Sequence, residues 1–189
     1  RVLPEHPGFA AGQFRVLPEH SVLPPALAGR ARRLTAGMPE DSYLMVDPLL
    51  AELTPPLRDA VRGILRDMRD AGLQPRIAEA LRSPERQRQL LADKRTRTLR
   101  SKHLPGRDGL SRAADIVDGE KAWGATREFW LSLGRAAVRR GLVWGGLWIG
   151  SPLLQAVERA RLRAHLMSDA PHAEYKGRIG WDPAHVEVG

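Results

Sequence analysis

Apolar residues first hold a sustained period where Leu57, Val61, Ile64, Leu65 and Met68 recur at three- and four-residue spacing up to Gly72. That period places them on one face of an α-helix. Thr54 followed by Pro55 marks its start, since a proline in the first turn gives up an N–H that has no helical partner anyway. A second long helix is predicted over about 126–140, with Phe129, Trp130, Leu133, Ala137 and Val138 facing inward and Gly141 ending it. Shorter helices are predicted over 85–93 and 152–166. Three stretches read as strands: 74–80, the apolar run 113–117 interrupted by Asp115, and 185–188, where His185 and Glu187 share one face and Val186 and Val188 the other. Mixed elements without a βαβ rhythm predict an α+β fold, a small antiparallel sheet flanked by helices.

The N-terminal part has no such period. Nine of the 15 prolines fall in the first 56 residues, which predicts a partly extended Pro-rich leader over 1–53 and a folded domain over 54–189. The hexapeptide Arg-Val-Leu-Pro-Glu-His occurs at 1–6 and again at 15–20. It is too short for a solenoid repeat and reads as a local duplication.

Composition narrows the chemistry. With 189 residues, 42% of them apolar, one domain plus a leader is the natural division. Thirty Lys+Arg against 22 Asp+Glu give a net charge of +8, which favours polyanionic partners: nucleic acid, acidic lipid or an anionic cell wall. The absence of cysteine excludes disulfide scaffolds, thiolate zinc fingers, iron–sulfur clusters and cysteine nucleophiles. Any metal must therefore rest on His, Asp and Glu. No run approaches the roughly 18 apolar residues of a membrane span, and the first residues lack a basic-then-apolar signal layout.

Of six histidines, His6 and His20 lie in the duplicated leader, His165 among arginines on a helix, and His172 in a Pro-flanked loop. His103 and His185 differ, because each stands beside carboxylates and Gly/Pro turn signals. Ser101-Lys102-His103-Leu104-Pro105-Gly106-Arg107, with Ala113-Ala114-Asp115 downstream, resembles the Ser-x-His-x-x-Gly-x-Ala-x-Asp signature of the zinc D-alanyl-D-alanine carboxypeptidase and L-alanyl-D-glutamate peptidase family. Trp181-Asp182-Pro183-Ala184-His185-Val186-Glu187 resembles the second motif of that family, an acid three positions before the last metal histidine. Arg82-Ser83 before a helix and Gly141-Leu142-Val143-Trp144-Gly145-Gly146-Leu147-Trp148 resemble two further blocks in the same order. The likeness runs from about Arg82 to Glu187 and implies the zinc DD-peptidase (hedgehog-like) fold.

Three departures accompany it. Five extra residues, aligned as 108–112, separate His103 from Asp115, so Asp108 and Asp118 are alternative ligands; Asp115 is preferred for its Ala-x-Asp context and strand-like surround. Position 147 is Leu where many relatives carry an acid. Residues 149–180 form a longer connection, read as a helix plus loop near the cleft.

The resemblance implies a Zn2+ held by His103, Asp115 and His185, two imidazoles and a carboxylate being a common catalytic set. It implies Asp182 as the general base and Arg82 as the cation facing the developing oxyanion. Ser101, Trp144 and Trp148 are the substrate-binding candidates, with Trp181 also near the cleft. The implied reaction is zinc-dependent hydrolysis of an amide bond in a peptidoglycan stem peptide. An endolysin-like, bacteriophage-type L-alanyl-D-glutamate endopeptidase is favoured over a D-alanyl-D-alanine carboxypeptidase or a non-catalytic wall-binding domain.

Lys94, Arg95, Arg97, Arg100 and Lys102, with Arg107 and Arg112, form the densest basic cluster and predict attachment to an anionic cell-wall surface. Nucleic acid is not expected as a partner, because no aromatic residue occurs between Met45 and Trp123 to stack bases. A monomer is expected, located in the host cytoplasm before release to the wall or carried on a virion, or periplasmic or extracellular if a signal was removed.

Overall fold

The computed structural model describes residues 47–96, 98–150 and 152–189; the leader over 1–46, with its duplicated hexapeptide, His6 and His20, and Arg97 of the basic cluster lie outside the described residues. The elements are α1 (Pro48–Ala51), α2 (Pro55–Asp70), β1 (Pro75–Glu79), α3 (Pro84–Ala92), β2 (Ala113–Asp118), α4 (Arg127–Arg139), β3 (Val143–Trp144), α5 (Pro152–Met167) and β4 (His185–Glu187). Two 3₁₀ turns, Gly145–Leu147 and His172–Glu174, lie in the connections. The fold is α+β, with one antiparallel sheet in the order β1-β2-β4-β3.

The helices follow the apolar period. Leu57, Val61, Ile64, Leu65 and Met68 of α2 are buried, as are all five inward positions expected on α4. Gly72 and Gly141 take φ of 78° and 75°, the left-handed conformation that ends a helix without a Cβ penalty. The folded part begins before Thr54. Leu50 and Leu53 enter the core, and the Arg58 guanidinium donates to the carbonyls of Leu50, Ala51 and Leu53, satisfying acceptors that α1 leaves open. Thr54 stands at the head of α2 without a side-chain cap bond, so the prolines and this arginine fix that end.

The sheet has two chemically different faces. Ile77 pairs with Ile116, and Val186 with both Ala114 and Trp144; these residues join α2 and α4 in the core. On the other face Asp115 lies opposite His185 in β4 and opposite Glu79 in β1. Simple alternation would turn Glu79 to the same side as Ile77. A register shift between Ile77 and Glu79 inserts the extra residue that brings Glu79 level with Asp115. Glu79, Asp115 and His185 therefore form a polar row across three strands.

Candidate metal centre

Three buried donors converge at the middle of that row. His103 Nε2 lies 3.2 Å from His185 Nδ1 and 3.2 Å from Asp115 Oδ1, and His185 Nδ1 lies 3.1 Å from the same carboxylate oxygen. Among the described residues, His103, Asp115 and His185 are the group of three able to hold a metal ion. A tetrahedral site with Zn–N bonds of about 2.0–2.1 Å has edges of about 3.3 Å, which these separations match.

The outer ring nitrogens settle which atoms face inward. His103 Nδ1 is 2.8 Å from the Ala80 carbonyl, so it donates and leaves Nε2 as an acceptor. His185 Nε2 donates to Glu187 Oε2 at 3.1 Å, leaving Nδ1 as an acceptor. Two imidazole lone pairs and a carboxylate then meet in a buried space with no donor of their own. Such a set needs a cation or a proton. With protons in place of the cation, burial disfavours the Asp115 anion, but hydrogen bonds from His103 and His185 outweigh it and hold the carboxyl below its ordinary range. Burial likewise opposes a charged His185, yet Asp115 and Glu187 push it up to about 9.

Local structure explains each position. His103 sits in the loop between α3 and β2, where its N–H donates to Ser101 Oγ at 3.3 Å and its carbonyl accepts from Arg82 N at 2.8 Å. Ser101 thus shapes the turn that carries His103. His185 begins β4, and its N–H closes on the Asp182 carbonyl at 3.2 Å across Pro183 and Ala184. Asp182 is half-buried, and burial followed by the nearby Asp115 charge pushes its carboxyl up to about 6. Gly145 lets this turn approach: a Cβ there would lie 2.2 Å from the Asp182 carbonyl oxygen.

Arg82 follows β1. Its guanidinium donates to both Glu79 oxygens and, at 2.8 Å, to Gln87 Oε1, and Nη2 is 3.7 Å from Asp115 Oδ2. Three of its five N–H groups are committed, which fixes the plane and holds Nη2 beside Asp115. Gln87, itself buried, donates onward to the Thr98 carbonyl at 2.7 Å and ties Arg82 to the basic loop.

The structure brings Arg82, His103, Asp115, Asp182 and His185 together. It removes the two alternative ligands: Asp108 is exposed and paired with Arg112, and Asp118 accepts from the Glu120 and Lys121 N–H groups of its own turn. Trp144 requires a correction. It is 0% exposed and its indole N–H donates to the Pro183 carbonyl at 2.7 Å, so it braces the Asp182–His185 turn from the core and does not line a cleft. Trp148 does flank the site, its ring 5.0 Å from that of His185. Lys102 is likewise structural, bonded to Glu187 and to the Val188 carbonyl.

Glu79, Gln87 and Glu187 were not among the sequence candidates. Only Glu187 carried a legible signal, its place two residues from His185 on the same strand face.

No family model and no curated protein matches the chain. Among solved structures the chain is similar to the crystal structure of Serratia marcescens L-Ala D-Glu endopeptidase ChiX, with 22% identity over 74% of this chain and 83% of that chain and a TM-score of 0.45.

Proposed function

We propose that the protein is a zinc-dependent peptidoglycan peptidase that hydrolyses an amide bond of the stem peptide, with the L-alanyl-D-glutamate bond favoured. The observation that supports this most is the convergence of His103 Nε2, Asp115 Oδ1 and His185 Nδ1 beside Asp182 and Arg82, residues drawn from motif blocks far apart in sequence. A zinc bound there supplies Lewis-acid activation of water and of the scissile carbonyl. Asp182 takes the proton released when water attacks, and passes it to the departing amine. Arg82, held by Glu79 and Gln87 with Nη2 3.7 Å from Asp115 Oδ2, supplies the fixed positive charge for the developing oxyanion, so that no reorientation is needed during reaction. The exposed cations of the basic loop hold the enzyme on the acidic wall.

The test is mass analysis of muropeptides digested by the wild type and by Asp182→Asn. The new termini name the bond cut, and the variant should retain about one zinc per chain while losing cleavage. A wild type that binds zinc yet leaves every muropeptide intact would overturn the reading in favour of a non-catalytic wall-binding domain.

A further inference from the structure

The metal centre has two unlike ends. On the β1 side stand Arg82 and, through Gln87 and Thr98, the loop that carries Lys94, Arg95 and Arg100. On the β4 side the surface is aromatic. The Trp148 ring lies 5.0 Å from His185 and the Trp181 ring 5.3 Å from Trp148, tilted by 38° and 36° respectively. Trp181 is 72% exposed, the most exposed large apolar side chain among the described residues.

That exposure is built into the backbone. Gly180 N–H donates to the Gly146 carbonyl, and Trp181 N–H is 3.4 Å from the Trp148 carbonyl. A Cβ at Gly180 would come within 2.7 Å of Trp148 N and 2.8 Å of two carbonyl oxygens, so the backbone at 180–181 lies hard against the 145–148 turn. An indole held in water on a fixed backbone offers a flat apolar face at little ordering cost to a ligand.

We infer that Trp148 and Trp181 form a saccharide subsite that takes the muramyl sugar bearing the stem peptide, on the N-terminal side of the scissile bond. This rests on the peptidoglycan reading above. The axial C–H groups of a pyranose stack on an indole face, whereas the cationic end suits the free carboxylates that follow the scissile bond. Reach decides between the two candidate bonds. One alanine spans about 3.6 Å, and with the lactyl ether of the sugar the ring lies roughly 8 Å from the L-alanyl carbonyl, so the sugar falls next to the scissile bond, on the side where Trp148 flanks His185 and Trp181 flanks Trp148. From a D-alanyl-D-alanine bond the sugar is several residues further away and misses the platform. The subsite thus selects glycan-attached stems and the bond nearest the sugar.

The experiment compares kcat/KM for a disaccharide-linked tetrapeptide and for the same tetrapeptide without sugar, in the zinc-loaded full chain. The wild type should prefer the glycosylated substrate about tenfold, Trp181→Ala should bring the ratio near one, and Trp181→Phe should retain most of it. Trp123→Ala, which changes an exposed tryptophan outside the site, should leave the ratio at the wild-type value. A parallel titration, read by tryptophan fluorescence, compares N-acetylglucosaminyl-N-acetylmuramyl-L-alanine with N-acetyl-L-alanine. The sugar-bearing ligand should bind at least tenfold tighter to the wild type and lose that advantage in Trp181→Ala. Equal rates on both substrates, or equal affinity for both ligands, overturns the saccharide subsite while leaving the peptidase standing. Absence of cleavage with sugar-dependent binding overturns the peptidase and keeps the subsite.

Discussion

Glu187 offers the sharpest perturbation of the candidate metal centre, because it touches His185 without belonging to the set of three donors. Its Oε2 accepts from His185 Nε2 at 3.1 Å, and its Oε1 lies 3.3 Å from Lys102 Nζ. Removing the carboxylate in Glu187→Ala leaves the His185 ring free to carry its proton on Nδ1, the atom that must present a lone pair. Partners of this kind are worth about 10–100-fold in metal affinity, or about 1.4–2.7 kcal/mol. Glu187→Gln keeps an acceptor in place but loses the charge, and should fall between, about three- to tenfold weaker than wild type. Metal-free protein is titrated with zinc against a chromophoric chelator at one fixed pH, with near-ultraviolet circular dichroism confirming the fold. Lys102→Met serves as a control for simple loosening of β4, since Lys102 also bonds the Val188 carbonyl, and should cost less than threefold. An alanine variant within twofold of wild type, or a glutamine variant weaker than alanine, refutes the tautomer argument.

Three further outcomes follow from the packing and charge. In Gly134→Ala the new methyl would lie 2.6 Å from the Trp144 ring, so the variant should lose about 1–3 kcal/mol in chemical denaturation. His172 Nδ1 meets His165 Nε2 at 3.3 Å, and burial followed by Arg135 brings the His172 pKa down from 6.5 to about 4. The neutral form is favoured in the fold, so its contribution is intact above pH 6.5 and lost as pH falls toward 4. With solvent screening of a half-buried ring the loss should be about 1 kcal/mol, read as the difference between wild type and His172→Asn in unfolding free energy at pH 7 and pH 5. Raising salt from 0.01 to 0.15 M shortens the screening length from about 30 to about 8 Å. Sedimentation with insoluble walls should therefore show weaker binding, and a combined Lys94→Glu, Arg95→Glu, Arg100→Glu variant should bind poorly even at low salt.

Elements with a long period were legible in the sequence, since α2 and α4 each repeat their apolar stripe over several turns. Two-residue β3 has no period to read, and α1 lies in a Pro-rich stretch that reads as extended until Leu50 and Leu53 are seen in the core. The fates of Trp144 and Trp148 were not separable from their Gly-rich surroundings. Pairing of Trp144 with Val186 sends one inward, while the turn at Gly145–Leu147 returns the other to the polar face. Glu79 was hidden for a different reason: period-two alternation assigns it to the core face, and only the register shift after Ile77 brings it to Arg82 and Asp115. Local pattern specifies elements, whereas the bulge and the cross-strand pairings that complete a site are decided by tertiary contact.

The departures in spacing lose their force once the donors are placed. Twelve positions separate His103 from Asp115, but the additional residues begin in an exposed turn, with Gly106 N–H bonded to the Leu110 carbonyl at 3.0 Å and Arg112 paired with Asp108 at 3.1 Å, and end at buried Ser111, which is pinned to the Glu52 carbonyl and the Thr54 N–H. The chain is back in register at once: Arg112 N–H donates to the Lys102 carbonyl at 2.8 Å, next to His103 in sequence. A loop that leaves and re-enters at one hydrogen bond can change length without moving either ligand, because loop closure costs only about 0.6 kcal/mol per doubling. The connection over 149–180 obeys the same logic. It packs through Leu162 and Leu166 into the core and returns through Gly180 to the Gly146 carbonyl, adjacent to where it departed. Linear spacing between candidate donors is therefore a weak guide to whether they meet in space; the paired backbone bonds on either side of each connection are the stronger one, and both connections here have them.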